Sequence, residues 1–206
     1  MKIVLDIETN SKHDKIWMVV TREIKTGDVK VWKEASGLQK YLDSCDLIIM
    51  HNGICFDAPV LRETWKTSIM PSQVCDTLVL SRLLSPSLEG GHSLDAWGKR
   101  LGHAKFEFRD WDAGCTAQMI TYCIQDTLVT QKLYEHLTSE LKLNKFDQRS
   151  IDLEHKVQAI IAKQERNGFK LDEVAGITLL STLQNKLAHI ENELQGIFPA
   201  KTIERV

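Results

Sequence analysis

The chain has 206 residues, of which 43% are hydrophobic, and its 26 basic side chains nearly balance 28 acidic ones. This composition supports a full buried core, and the length favours one domain with an appendage. The resulting net charge of −2 argues against nucleic-acid binding through bulk charge, but a local basic face stays open and neutrality does not exclude nucleic acid.

Apolar patterning predicts strands early in the chain and helices later. The predicted strands are residues 2–5, 16–24, 29–32 and 47–50, and a turn at residues 25–28 joins the second to the third. The predicted helices are residues 37–44, 58–65, 76–84, 92–101, 116–143, 151–164 and 172–197. Residues 104–114 are predicted to form a loop and residues 169–172 a short extended piece. This order indicates an α/β protein built around a mixed sheet.

The character of the sequence changes near residues 145–150. We therefore expect a compact domain over residues 1–147 and a helical segment over residues 148–206. The last predicted helix has an apolar stripe that it cannot bury alone, and such a face calls for a partner. The stripe consists of Leu171, Val174, Ile177, Leu180, Leu183, Leu187, Ile190 and Leu194.

The cysteines and the apolar runs bear on the cellular compartment. Five scattered cysteines form no C-x-x-C pair, and their spacings with the seven histidines match no structural zinc pattern. The sequence runs from Met1 directly into an apolar strand without a signal-peptide pattern, and no run approaches the roughly 20 residues of a membrane span. We expect a soluble, cytoplasmic protein with reduced thiols and no membrane partner.

Two carboxylates lie at the carboxyl end of the first predicted strand. Asp6 and Glu8 are two residues apart, so their side chains leave the same face of an extended chain. Their like charges repel each other, and a cation between them would remove that repulsion. Taken alone, the pair is also typical of solvent-facing acids at the end of a strand.

Three further side chains suit the same chemistry. Asp57 follows the strand at residues 47–50, at the kind of strand end where α/β sites assemble, although it is equally suited to cap the next helix. Tyr122 and Asp126 are four residues apart and share one helix face. Because hard cations prefer carboxylate oxygens, the acids together indicate a divalent-metal site, beside which a phenol can orient a water molecule.

Several aromatic and basic side chains have two interpretations. Arg109 and Trp111, with Lys99 and Arg100, are suited to a groove for a nucleic-acid strand or to an ordinary solvated face. Trp97 lies at helical spacing from its apolar neighbours and is predicted to belong to the core.

The motifs that carry these acids resemble a known family. LDIET, HNGICFD and YCIQD are similar to the three motifs of DEDD-type 3′→5′ exonucleases, in the subclass with tyrosine in the third motif. CDTLVLSRLL, HSLDAWGKRLG and LEHKVQAIIAKQERNGFKLD resemble the amino-terminal region of the family A DNA polymerases of T-odd podophages. The resemblance spans nearly the whole chain.

The resemblance implies a ribonuclease H-like fold, a mixed five-stranded sheet flanked by helices, followed here by a C-terminal helical appendage. It implies a proofreading 3′–5′ exonuclease with two Mg²⁺ ions, for which Mn²⁺ substitutes. By motif position, Asp6, Glu8 and Asp126 would hold the metal that carries the attacking water, and Asp6 and Asp57 would hold the second. Tyr122 would orient the water.

The implied substrate is a single-stranded DNA 3′ end or a frayed primer terminus. Candidates for contact with the terminal nucleotides are Thr9, Asn10, His51, Asn52 and Phe56. Aromatic rings stack on unpaired bases with little sequence preference, which suits a proofreading site.

The sequence shows no palm carboxylates and no fingers helix of a polymerase. We therefore expect a shortened polymerase or one part of a divided polymerase that binds a separate polymerase subunit, in the cytoplasm of an infected host cell. Two alternatives stay open. One is a non-catalytic subunit that holds DNA or docks onto a polymerase, and the other is a related exonuclease that acts on RNA 3′ ends.

Overall fold

A mixed five-stranded sheet forms the centre of the protein, as predicted. The computed structural model describes residues 1–104 and 108–199. The strands are β1 (Lys2–Thr9), β2 (Ile16–Glu23), β3 (Val29–Trp32), β4 (Leu47–Met50) and β5 (Val74–Asp76). Across the sheet their order is β3-β2-β1-β4-β5. The first three strands are antiparallel neighbours, whereas β4 and β5 run parallel to β1.

The central strand β1 is longer than predicted. The apolar run predicts a strand with Asp6 at its carboxyl end, and pairing with β2 extends β1 to Thr9 with a register irregularity after Glu8. Asp6 and Glu8 both lie within the strand, as their spacing predicts. This places both side chains on a rigid element in the middle of the sheet.

The helices follow the predicted order with ends shifted by at most three residues. They are α1 (Leu38–Asp43), α2 (Asp57–Thr64), α3 (Thr77–Leu84), α4 (Leu94–Arg100), α5 (Ala117–Leu143), α6 (Gln148–Asn167) and α7 (Glu173–Ile197). The pattern did not predict β5, since three residues are too few to show alternation. Residues 169–172 form no regular element, and the backbone of Asp172 is extended. Of the predicted loop at residues 104–114, residues 105–107 lie outside the described residues, and the others are irregular as expected.

Apolar side chains cover both faces of the sheet, and β1 contributes to each in alternation. Its odd-numbered residues Ile3, Leu5 and Ile7 pack in the cluster that includes α1 and α2. On the other face, α5 packs against β1 and β2. Asp6 points to the α5 side, where the Cys123 thiol contacts its carboxylate. The long helix thus lies directly over the acidic face of β1.

The connection between β4 and α2 is held by one buried carboxylate. Asp76 ends β5, is 1% exposed and accepts hydrogen bonds from the backbone N–H groups of Asn52, Ile54 and Leu78, at 2.8, 3.1 and 3.0 Å. Burial raises the pKa of Asp76, while these three donors oppose the shift. Gly53 is required in this connection because a Cβ there would lie 2.3 Å from Met50 Cβ.

The chain divides into two compact units, residues Met1–Arg166 and residues from Asn167 onward. Most of α6 belongs to the first unit, where its His155 Nε2 accepts the backbone N–H of Asp76 at 2.9 Å. The expected functional division after residue 147 stays a prediction. The second unit contains α7, and among the described residues no helix is long and apolar enough to cross a membrane.

Replacement of Asp76 tests whether it fixes the β4–α2 connection. Asp76→Ala leaves three N–H groups without their acceptor, so we expect a loss of about 2–4 kcal/mol in the free energy of unfolding. Asp76→Asn keeps one acceptor oxygen and should lose less. The exposed Asp43→Ala is the control and should change stability by under about 0.5 kcal/mol. Urea unfolding measures all three, and equal stabilities of Asp76→Ala and Asp43→Ala would contradict the assignment.

Candidate active site

The acidic side chains of β1 meet α5 on one face of the sheet. Glu8 is 6% exposed and Asp6 is half-buried. One carboxylate oxygen from each and the sulfur of Cys123 all lie within 4.8 Å of one another. The structure therefore brings two of the sequence-predicted acids together and adds a thiol.

Asp57 comes to the same place from the first turn of α2. Its side chain is 4% exposed, and its Oδ1 accepts a hydrogen bond from the backbone N–H of Ile7 at 3.2 Å, between the two acids of β1. Burial is the larger cause that raises the pKa of Asp57 well above its ordinary value, and the negative charge of Asp6 is the second. The carboxyl end of β4 thus delivers a third acid to β1, as expected for adjacent parallel strands.

The third motif contributes Asp126 and Tyr122 from α5. Asp126 is 4% exposed, and its charge is among the causes that raise the pKa of the Cys123 thiol. Tyr122 is half-buried, with its ring 5.7 Å from those of both Phe108 and Trp111. Packing between these rings restricts the orientation of the phenol.

Cys123 is the site residue that sequence reasoning missed. The buried thiol donates a hydrogen bond to Asp6 Oδ2 at 3.3 Å. Burial first, and then the charges of Asp6 and Glu8, raise its pKa well above the ordinary value, so the sulfur stays a protonated donor. Its position three residues before Asp126 on α5 is the signal that could have placed it on the site face.

The donor set fits a hard divalent cation. Carboxylates from β1, α2 and α5 share a largely buried region. There the charge of Asp6 adds to burial in raising the pKa of Asp57. A cation among carboxylate oxygens relieves that repulsion, and oxygen ligands suit Mg²⁺ or Mn²⁺ better than a soft metal. Because these hard cations prefer carboxylate oxygen to thiol sulfur, the carboxylates are the candidate ligands.

The five candidate substrate contacts lie on segments next to these acids. Thr9 and Asn10 follow Glu8 at the end of β1, and Phe56 directly precedes Asp57. Asn10 Oδ1 accepts hydrogen bonds from the backbone of residues 14 and 15, so it shapes its own loop.

His51 and Asn52, the other two candidates, follow β4. His51 Nδ1 lies 2.9 Å from Thr77 Oγ1. Asn52 has a positive φ of 64° and donates its backbone N–H to Asp76. Through these contacts, His51 and Asn52 stabilise the segment that directly follows β4.

The structure shows where the aromatic and basic side chains of uncertain role lie. Trp111 packs against Tyr122, and its carbonyl accepts the indole N–H of Trp17 at 2.8 Å. Trp97 belongs to the core and is 6% exposed. The guanidinium carbon of Arg100 lies over its ring, 4.9 Å from the ring centroid. Lys99 pairs with Asp95 on its own helix at 2.7 Å, which favours a solvated face for α4.

Known proteins resemble both the sequence and the fold. The chain is 29% identical to the DNA-directed DNA polymerase of Escherichia phage T7 over 95% of its own length, and 29% identical to that of Enterobacteria phage T3 over 84%. It spans about a third of the length of these curated relatives, 37% and 34% respectively.

Solved structures establish the ribonuclease H-like fold. Brucella melitensis NrnC with bound Mg²⁺ superimposes with a TM-score of 0.64 at 22% identity, covering 81% of this chain and 86% of that one. The catalytic core of RRP6 from Trypanosoma brucei gives 0.55 at 14% identity, covering 79% and 46%. The profile of the 3′–5′ exonuclease family matches residues 7–142, and the chain therefore belongs to the 3′–5′ exonuclease family.

Proposed function

We propose that this chain is a metal-dependent 3′–5′ exodeoxyribonuclease and the proofreading part of a phage-type DNA polymerase. The observation that carries the proposal is the convergence of carboxylates from three separate elements, β1, α2 and α5, on one buried face. A docking subunit would have no use for so many mutually repelling buried acids. The family and the two phage relatives supply the reaction class.

In this proposal Asp6, Glu8, Asp57 and Asp126 hold two Mg²⁺ ions, for which Mn²⁺ substitutes. When bound, the ions supply positive charge that stabilises the attacking and leaving oxygens of a phosphodiester displacement. The carboxylates contribute by being held in place: Asp57 by the backbone of Ile7, and Asp6 by the Cys123 thiol.

Tyr122 orients the attacking water. The packed rings of Phe108 and Trp111 leave its phenol little freedom, so a hydrogen bond from its hydroxyl can fix the water at a defined angle. The water attacks the terminal phosphorus and the 3′ oxygen of the preceding nucleotide leaves. No covalent enzyme nucleophile is required.

DNA is the substrate that the relatives favour. Both are DNA polymerases, whereas the structural neighbours share only the fold with this chain. Thr9, Asn10, His51, Asn52 and Phe56 lie around the strand ends where a single-stranded 3′ end would reach the carboxylates. Action on RNA 3′ ends is the second candidate, since the same chemistry cleaves both.

Exonuclease assays test the proposal directly. We expect stepwise shortening of a 5′-labelled single-stranded DNA from its 3′ end with Mg²⁺ or Mn²⁺, and none with EDTA. Asp6→Ala/Glu8→Ala should reduce the rate on the order of 10³-fold or more, because it removes two of the proposed ligands. Asp43→Ala is the surface control.

An RNA oligonucleotide of the same sequence is the comparison substrate. Faster cleavage of RNA than of DNA would overturn the substrate assignment. Near-wild-type turnover by the double variant would overturn the site. Inactivity of the wild type on both substrates would favour the DNA-holding subunit.

We further propose that residues 148–206 connect the exonuclease domain of residues 1–147 to a polymerase part, on the same chain or on a separate subunit. The support is the apolar stripe of α7 and its approach, whose eight side chains from Leu171 to Leu194 are each between 50% and 76% exposed. A face of this kind is stable in water only when something covers it.

The state of the isolated chain in solution tests this docking face. We expect concentration-dependent association in size-exclusion chromatography with light scattering, because association removes the apolar stripe from water. Leu183→Glu/Leu187→Glu should abolish that association, whereas Asn185→Glu, placed off the stripe, should not. A stable wild-type monomer at all concentrations would count against an obligate partner.

A further inference from the structure

One face of α6 packs on the first unit. Ile151, His155, Gln158 and Ala162 follow one another at intervals of four, three and four residues, so they share one side of the helix. Ile151 packs against the apolar cluster that α3, α4 and α5 share, and Ala162 is 2% exposed. The two polar members of this face, His155 and Gln158, each contact a segment that leads to the candidate active site.

His155 completes the outer edge of the sheet. The strand β5 has three residues and is the last strand of the sheet, with β4 as its neighbour. On its outer side, His155 Nε2 accepts the backbone N–H of Asp76 at 2.9 Å. His155 Nδ1 lies 2.8 Å from the carbonyl oxygen of Ile151, and because a carbonyl only accepts, Nδ1 carries the ring proton. His155 therefore contributes the acceptor that a further strand would otherwise supply.

Asp76 links this contact to the β4–α2 connection, residues 51–56. Its carboxylate accepts the backbone N–H groups of Asn52 and Ile54 in that connection. The connection ends directly before Asp57, which is the first residue of α2. A shift at the end of β5 would weaken both hydrogen bonds, so His155 helps to fix the connection without contacting it.

Gln158 contacts the same connection directly. Its Nε2 donates to the sulfur of Cys55 at 2.9 Å, and Cys55 lies two residues before Asp57. One turn of α6 is therefore tied to the connection twice, once through Asp76 and once through Cys55. Because both ties start from one helix, the connection cannot move away from α6 without breaking hydrogen bonds.

We propose that His155 and Gln158 are positioning residues for Asp57. They act through Asp76 and Cys55, the groups that they contact. This inference rests on the proposed exonuclease function, in which Asp57 is a metal ligand. It gives α6 a role in the site, although the helix lies beyond the predicted end of the exonuclease domain. A ligand whose supporting groups are fixed binds its ion more tightly, because less order has to be imposed when the ion arrives.

Amide hydrogen exchange, followed by mass spectrometry of the full chain, tests the positioning role apart from catalysis. In His155→Leu and in Gln158→Leu we expect the amides of residues 52–56 to exchange roughly fivefold faster or more, because each variant loses a hydrogen bond behind this segment. The amides of β1 should exchange as in the wild type. A general loss of stability would instead accelerate both regions alike.

Isothermal titration with Mn²⁺ connects the contacts to the site. We expect both leucine variants to bind Mn²⁺ roughly tenfold more weakly than the wild type, the magnitude typical of lost support behind a metal ligand. His155→Gln should keep nearly the wild-type affinity, because the glutamine Oε1 can accept the N–H of Asp76. Gln164→Leu is the matched control, since Gln164 is exposed on the same helix, and it should behave as the wild type in both measurements.

Unchanged exchange of residues 52–56 in both leucine variants overturns the inference, as does an equal effect of Gln164→Leu. If His155→Leu does not fold, Gln158→Leu carries both measurements. A wild type that binds no Mn²⁺ overturns the proposed metal site instead, and faster exchange in the leucine variants then leaves α6 as the support of the connection alone. Mn²⁺ affinity that is unchanged despite faster exchange overturns the positioning of Asp57.

Discussion

Mutual repulsion between buried carboxylates is the constraint on which the site depends. Asp57 and Asp6 approach closely enough for the charge of one to raise the pKa of the other, within a region that already penalises charge by burial. Such an arrangement costs stability unless a function requires it. A hard cation converts the repulsion into coordination, and for this reason we interpret the acids as a metal site and not as incidental surface charge.

Strand pairing and hydrogen bonds hold the acids in place despite this repulsion. The pairing of β1 with β2 fixes Asp6 within a strand, and the backbone of that strand holds Asp57. Asp76 secures the connection that leads from β4 into α2. The Cys123 thiol, kept protonated by burial and by the neighbouring negative charges, adds a donor to Asp6.

Hydrophobic periodicity sufficed for most of the architecture, because long helices and the β2–β3 hairpin repeat their pattern many times. It did not find β5, where three residues carry no period, nor the extension of β1, which depends on pairing with β2. The acids were predictable from motifs. Cys123 was not predicted as a site residue, because a thiol among apolar residues is typical of a core, and its spacing from Asp126 places it only on the same helix face. The hydrogen bond from its thiol to Asp6 is visible only in the folded chain.

Thermal unfolding with and without Mn²⁺ tests the central claim most directly. In EDTA, Asp57→Asn should unfold at the same temperature as wild type or a higher one, because asparagine can still accept the N–H of Ile7 while removing a charge near Asp6. Saturating Mn²⁺ should raise the Tm of the wild type by mass action, and raise that of the variant much less. No rise in the wild type, or an equal rise in both proteins, would contradict the assignment of these carboxylates as a metal site.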